Sequence, residues 1–247
     1  MLILLPPSET KRDGGEGPSL DYSALSFPRL NARRRPLVRA VRTMSRNADE
    51  ARRALKLGPN GDPDIARNRM ISRSSTMPAI DRYTGVIYDA LDAPTLSEAA
   101  RTRASTHLLV HSALFGLVGA LDPIPAYRLS QDSRLPELRL GEHWRGPVAR
   151  ELAAREGLII DLRSEGYAEL GPLPVRADAV YVRVLSRGEG GAVRALNHFN
   201  KKAKGAFTRA LLEAPVVPES TDELLGWAGG ADIELRRGTG NELELIV

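Results

Sequence analysis

MLILLPPSETK, residues 1–11, is the stretch on which the architecture turns. Five apolar residues run from Met1 to Leu5 and are stopped at once by Pro6 and Pro7. No basic region precedes them, and the run falls well short of the roughly 20 residues a membrane-spanning helix needs. It reads as a buried first strand. In an open α/β sheet, ligands sit beyond the carboxyl ends of such strands, which is where Ser8, Thr10 and Lys11 fall. Two hydroxyls and a point charge there could hold a phosphate. The glycine spacing of a P-loop is missing, and polar residues after a strand also make ordinary turns.

Outward from this strand, the chain alternates strand-like and helix-like stretches. Residues 31–57 carry Leu37, Val41, Met44, Ala48, Ala51 and Leu55 at helical spacing, closed by Gly58-Pro59. Further helices are expected at 63–71, 78–91, from the N-cap Ser97 to Ala104, at 145–156, 197–213 and 221–228. LIIDLRS (158–164) and AVYVRVLS (179–186) read as strands, and the apolar run 106–129 starts as one. DIELRR and ELELIV, joined through GTGN, read as a hairpin. The alternation predicts a single α/β domain with a mixed central sheet flanked by helices.

The 247 residues are enough to bury a real core, and 42% hydrophobic with 27% charged residues is ordinary for a globular protein. With no cysteine, disulfides, thiolate metal sites and thiol peroxide chemistry are excluded; the expected location is the cytoplasm, with no membrane contact. Aromatic content of 5% argues against a stacking platform for single strands. His107 and His111 stand four apart without an acidic cluster, so no metal site or cofactor is expected. Between residues 29 and 56, Arg29, Arg33, Arg34, Arg35, Arg39, Arg42, Arg46, Arg52, Arg53 and Lys56 face only Asp49 and Glu50. That excess suits either a polyanion-binding surface or a solvated helix.

A second concentration of charge lies in NHFNKKAKGAFTRALLE (197–213). At about 100° per residue, Phe199, Ala203, Ala206, Phe207 and Ala210 form the expected core stripe. Lys201, Lys202, Lys204, His198, Thr208 and Arg209 share the other side, with Gly205 near its centre. A glycine in a helix interior costs about 0.5–1 kcal/mol relative to alanine. Either an anion approaches closely there or another element packs against it, and the mutual repulsion of the lysines favours the anion. Arg128, after a proline-bounded apolar run, needs a carboxylate partner or an anion to clamp. If the strand before Ser164, Glu165 and Tyr167 runs parallel to the first strand, then Ser8, Lys11, Ser164 and Tyr167 meet in one pocket.

These motifs together resemble the YaaA family of peroxide-stress proteins. The family opens with LISPAKT or LLPPSEGK, against MLILLPPSETK here, and its YTGL matches YTGV (83–86). Its LSGLYGVLRPLD…PYRLEM is similar to HSALFGLVGALDPIPAYRLS (111–130), and NLASDEY to DLRSEGY (161–167). Its YAKKARGLMSRF resembles FNKKAKGAFTRA (199–210). The resemblance spans nearly the whole chain except residues 29–75, an arginine-rich helical insertion or variable region. It implies a single α/β domain of unusual topology with a positively charged cleft, DNA binding, and protection under hydrogen peroxide linked to lower free intracellular iron. The cleft residues it implies are Ser8, Lys11, Tyr83, Tyr127, Arg128, Ser164, Tyr167, Lys201, Lys202, Lys204 and Gly205.

The family's SGLYG segment is similar to the hairpin of a helix-hairpin-helix element, whose amides hold a phosphate. Here Ala113 replaces one hairpin glycine, and Gly119-Ala120-Leu121 replaces Leu-Arg-Pro, removing a cation. Two functions remain open. One is non-specific DNA binding through Lys201, Lys202, Lys204 and Arg209. The other is an enzyme acting on a nucleotide or modified base, with Arg128 and Lys11 as clamps and Glu165 or Tyr167 carrying a proton. The four scattered histidines and missing cysteines offer little for direct iron handling.

Overall fold

The computed structural model describes the backbone of residues 1–187, 193–194 and 197–247, and the side chains of 1–186 and 200–247. The side chains of His198 and Phe199 lie outside these described residues. The first strand, β1 (Leu2–Leu5), is buried at every position. It hydrogen-bonds in parallel with β4 (Leu108–Ser112) on one side and β7 (Ile159–Asp161) on the other. β7 continues in parallel to β8 (Ala179–Arg187), and β8 to β11 (Glu242–Ile246). Antiparallel strands close the edges: β5 (Gly116–Gly119) on β4 and β10 (Leu235–Arg237) on β11. The short β9 (Val193–Arg194) pairs antiparallel with β8. A separate small sheet joins β2 (Gly17–Ser19), β3 (Ser75–Pro78) and β6 (Pro123–Ile124).

This is the single α/β domain with a mixed central sheet that the alternation predicts, and helices flank the sheet. The C-terminal hairpin forms as β10 and β11, and β11 additionally extends the parallel sheet. Two helix expectations change. Residues 31–57 form two helices, α1 (Asn31–Met44) and α2 (Ala48–Leu55). Asn47 ends the continuity: in extended geometry, its side chain accepts the amides of Asp49 and Glu50 and so caps α2. After α3 (Asp62–Met70), the 78–91 stretch also splits, into α4 (Ala79–Arg82) and α5 (Val86–Leu91). Gly85 lies between them at φ 93°, a left-handed conformation that suits glycine.

α6 (Glu98–His107) ends at His107, so His107 and His111 share no helix face, and the following turn at 113–115 connects β4 to β5. α7 (Leu140–Ala153), α8 (Glu165–Glu169), α9 (Asn197–Glu213) and α10 (Thr221–Gly230) complete the chain.

The arginine-rich stretch is partly structural. Arg34 is fully buried and donates to the carbonyls of Phe115, Leu117 and Ser26, fastening α1 across β5. Burial lowers its pKa to about 10. Arg52 pairs with Asp49 and Asp62, and Lys56 with Asp132. Arg29, Arg33, Arg35, Arg39, Arg46 and Arg53 remain exposed.

Candidate functional site

β1 and β7 are parallel neighbours, and the chain leaves β1 for β4 on one side before returning to β7 on the other. Such a reversal opens a crevice at the carboxyl ends of the strands. A cleft of about 520 Å³ lies there, lined by Ser8, Thr10, Thr84, Ser164, Tyr167 and Lys201 among others. Prolines 6 and 7 end the β1 ladder because they lack amide donors, which turns Ser8 and Thr10 out to the cleft wall. The hydroxyls there cluster: Ser8 Oγ lies 3.2 Å from Thr10 Oγ1, and Thr84 Oγ1 donates to Thr10 Oγ1 over 3.0 Å. Ser164 sits at the start of α8, exposed, with its hydroxyl making no cap hydrogen bond.

An adjoining lobe of about 510 Å³ is lined by Tyr181, Arg183, Asn200 and Lys204, and shares Ser164, Gln131 and Lys201 with the first. Lys201 is exposed and makes no ion pair among the described residues. Carboxylates also face the cleft, but each has a cation. Glu9 pairs with Arg128 at 2.6 Å, Asp132 with Lys56 at 2.6 Å, and Glu165 with Arg183 at 3.1 Å. The bond from Lys56 holds the Asp132 carboxyl below its ordinary pKa. Lys204 Nζ donates to Arg163 O at 3.0 Å, and its pKa is lowered to about 8 by burial.

Several candidate residues sit beside the cleft and build it. Lys11 lies beneath the 6–10 loop, donating to Ser8 O at 2.8 Å and Glu9 O at 3.3 Å, with its ammonium 4.1 Å from the Tyr127 ring centre. Tyr83 and Tyr127 are buried and linked hydroxyl to hydroxyl at 2.8 Å, and Tyr127 meets Ser112 Oγ at 2.7 Å. Ser112 Oγ already accepts the amides of Leu114 and Phe115. Its own proton therefore goes to Tyr127, whose proton goes to Tyr83. The 113–115 turn is buried and gives those two amides to Ser112, which leaves neither for a phosphate.

Arg128 has the acid partner its burial demands, Glu9, with Asp64 Oδ2 3.9 Å from its Nε. Arg209 donates to the carbonyls of Leu91, Asp92 and Thr95 and so caps the end of α5. Lys202 is exposed on α9 outside the cleft lining.

Gly205 corrects the expectation of a bound anion. A Cβ built there would lie 2.1 Å from the Ile87 carbonyl oxygen and 2.9 Å from Ala90 Cβ. The glycine serves helix packing between α9 and α5. The core stripe of α9 is likewise rotated from its expected face. Phe207, Thr208, Leu211 and Leu212 are buried while Ala206 is exposed. Thr208 tolerates burial because its hydroxyl donates to Lys204 O at 2.8 Å. Thr84, Gln131, Tyr181 and Asn200 line the cleft without having been singled out in the sequence. Thr84 stood in the quoted YTGV, Tyr181 in AVYVRVLS and Asn200 in FNKKAKGAFTRA, while Gln131 carries no local signal.

Buried Lys11 has its pKa lowered to about 7, first by loss of water and then by Arg128. Since that lies below the ordinary 10.5, the unfolded chain holds the extra proton between the two values, and folding stability rises with pH across that window. Relative to Lys11→Met, the wild type should gain at most about 1.4 kcal/mol per pH unit above pH 7. Urea unfolding of both proteins at pH 7, 8 and 9 measures this; parallel pH profiles would count against a desolvated Lys11.

An open, largely parallel α/β sheet with a lysine- and hydroxyl-lined crevice at its switch point defines a class: α/β proteins whose ligands meet the strand ends. Within that class, the family model described as peroxide stress protein YaaA matches residues 1–228, and the chain belongs to that family. UPF0246 proteins of Corynebacterium glutamicum (strain R) and Corynebacterium efficiens are each 40% identical to it, with both chains covered completely. A UPF0246 protein of Streptomyces coelicolor is also 40% identical, over all of this chain and 98% of its own. The chain is thus a protein of the peroxide-stress family. No helix among the described residues is long and apolar enough to cross a membrane.

Proposed function

We propose that this chain acts in the cytoplasm under peroxide stress by binding DNA through its phosphate backbone. The observation carrying this reading is Lys201. It stands without a described carboxylate partner at a cleft whose wall is the Ser8, Thr10 and Thr84 hydroxyl cluster and the uncapped Ser164. Hydroxyls and an unpaired ammonium are the groups that hold phosphate oxygens. Exposed Lys202 on the same helix adds a second cation beside it. In this reading the link to iron is indirect, acting through protected DNA. The chain's enzymatic alternative is less favoured by the geometry. Glu165 is tied to Arg183, and burial raises the pKa of Tyr167 well above the ordinary phenol value, so Tyr167 keeps its proton.

DNA affinity should fall steeply with salt, because each neutralised phosphate releases counterions. Replacing Lys201 or Lys202 by Gln should each reduce the slope of log K against log salt by about 1, uniformly across sequences. A wild-type slope near zero would end the backbone-binding reading.

A further inference from the structure

Phosphate gripping leaves the chemistry of Lys204 unused. Lys204 lines the second lobe and lies three residues along α9 from Lys201, so the two side chains leave one helix face as neighbours. Its amine sits among other residues of that lobe. The Tyr181 ring centre is 5.7 Å away, and the Tyr181 hydroxyl donates to the same Arg163 carbonyl that Lys204 does. The charges acting on it are Asp161, at the end of β7, with Arg183 and Glu165, which both line the lobe. Burial lowers its pKa to about 8, so near that pH a large share of the amine is uncharged. A desolvated, uncharged lysine is a nucleophile towards carbonyl carbon. Lys11 has a still lower pKa, but it lies beneath the 6–10 loop, donates to two carbonyls and lines neither lobe.

We propose that Lys204 captures an aldehyde as an imine, with the ligand's phosphate held by Lys201 and the hydroxyls of the adjoining lobe. The phosphate seat rests on the reading above, and the carbonyl chemistry goes beyond it. The uncharged amine adds to the carbonyl carbon and a C–N bond forms. The carbonyl oxygen then leaves as water, taking both amine hydrogens, and a C=N bond remains. The step consumes no oxidant or reductant. The ligand class is an aldehyde with a phosphate a few bonds away. Two sources supply it: a free sugar phosphate, or a strand residue that has lost its base, whose deoxyribose opens to an aldehyde between two phosphates.

Borohydride reduction turns such an imine into a stable amine that peptide mass mapping locates. The full chain is treated at pH 8 with glyceraldehyde 3-phosphate, with plain glyceraldehyde, or with a single-stranded oligonucleotide carrying one abasic residue. The expected label at Lys204 exceeds that at Lys202, exposed on the same helix outside the cleft lining, by about tenfold or more, because an ordinary lysine is almost wholly protonated there. Lys204→Arg keeps the cation and its donors but cannot form an imine. It should lose this label and still bind duplex DNA. Lys201→Gln, or added orthophosphate, should lower labelling by the phosphorylated probe and spare that by plain glyceraldehyde. Label from the sugar phosphate alone identifies the free source, and label from the oligonucleotide alone identifies the strand. Label spread evenly over Lys202 and Lys204, or found at Lys11, overturns the proposal. Steeply salt-dependent duplex binding in the same preparations would then leave the backbone-binding reading standing. Label at Lys204 that orthophosphate does not reduce would uphold the imine and count against the phosphate seat.

Discussion

Gly205→Ala is expected to lower folding stability by about 2–3 kcal/mol, the scale of an overpacked core. On an open helix face the same change would raise it by up to about 1 kcal/mol, through helix propensity. The structure decides the sign. The new methyl would meet the Ile87 carbonyl oxygen at 2.1 Å, and a main-chain atom cannot swing aside as a side chain would. Relief requires α5 and α9 to separate. That motion opposes Arg209, which ties α9 to the carbonyls of Leu91 and Asp92 at the end of α5. It would also shift Ile87, which lines both lobes of the cleft, so phosphate and DNA affinity should fall with stability. Urea titration checks this: the midpoint should drop with the slope unchanged. A rise in midpoint would mean that α9 does not press on α5 and that Gly205 faces open space.

The same residue shows where sequence reasoning stops. Helical periodicity placed Lys201, Lys204 and Gly205 on one helix, but it could not say what lay opposite the glycine, because the neighbour is α5, more than a hundred residues earlier in the chain. The first strand was legible, since an apolar run bounded by prolines has few other uses. So was the meeting of Ser8 with Ser164 and Tyr167, which follows once β1 and β7 are parallel neighbours, whereas Lys11, expected in the same pocket, lies beneath the 6–10 loop. Charge type was legible and charge employment was not. Arg34, Arg128 and Arg209 read like ligand-seeking cations, yet each is taken up by carbonyls or a carboxylate supplied by distant segments. The Asn47 cap was also missed, because an asparagine inside an otherwise continuous periodic pattern gives no signal of the backbone turn it stabilises. Asn200 was missed because lining a cleft is a property of its surroundings.

The second large effect is expected one layer beneath the cleft. Asp161→Ala should cost about 3–5 kcal/mol, the range for stripping the partner from a buried charge. Asp161 closes β7 and receives the Arg163 guanidinium in two parallel bonds, at 2.8 Å from Nε and 2.6 Å from Nη2, both side chains being essentially inaccessible to water. Arg163 Nη1 also donates to His111 Nδ1 at 2.8 Å. The imidazole is therefore neutral, and burial together with the nearby guanidinium holds its pKa well below the ordinary value. Removing the carboxylate would leave Arg163 with a neutral acceptor and no counter-charge. The double variant Asp161→Leu with Arg163→Met should cost less than Asp161→Ala alone, since no lone charge stays buried. Its binding should still be impaired. The Arg163 carbonyl accepts from both Lys204 Nζ and Tyr181 Oη, and Ser164 follows directly, so the ion pair fixes the strand end on which one wall of the cleft is built. Chemical denaturation of the single and double variants, paired with phosphate affinity, separates the two roles. A double variant that folds well and binds phosphate as tightly as the wild type would reduce the pair to a matter of stability alone. One that folds well and binds poorly would show that the buried charges hold the cleft in shape.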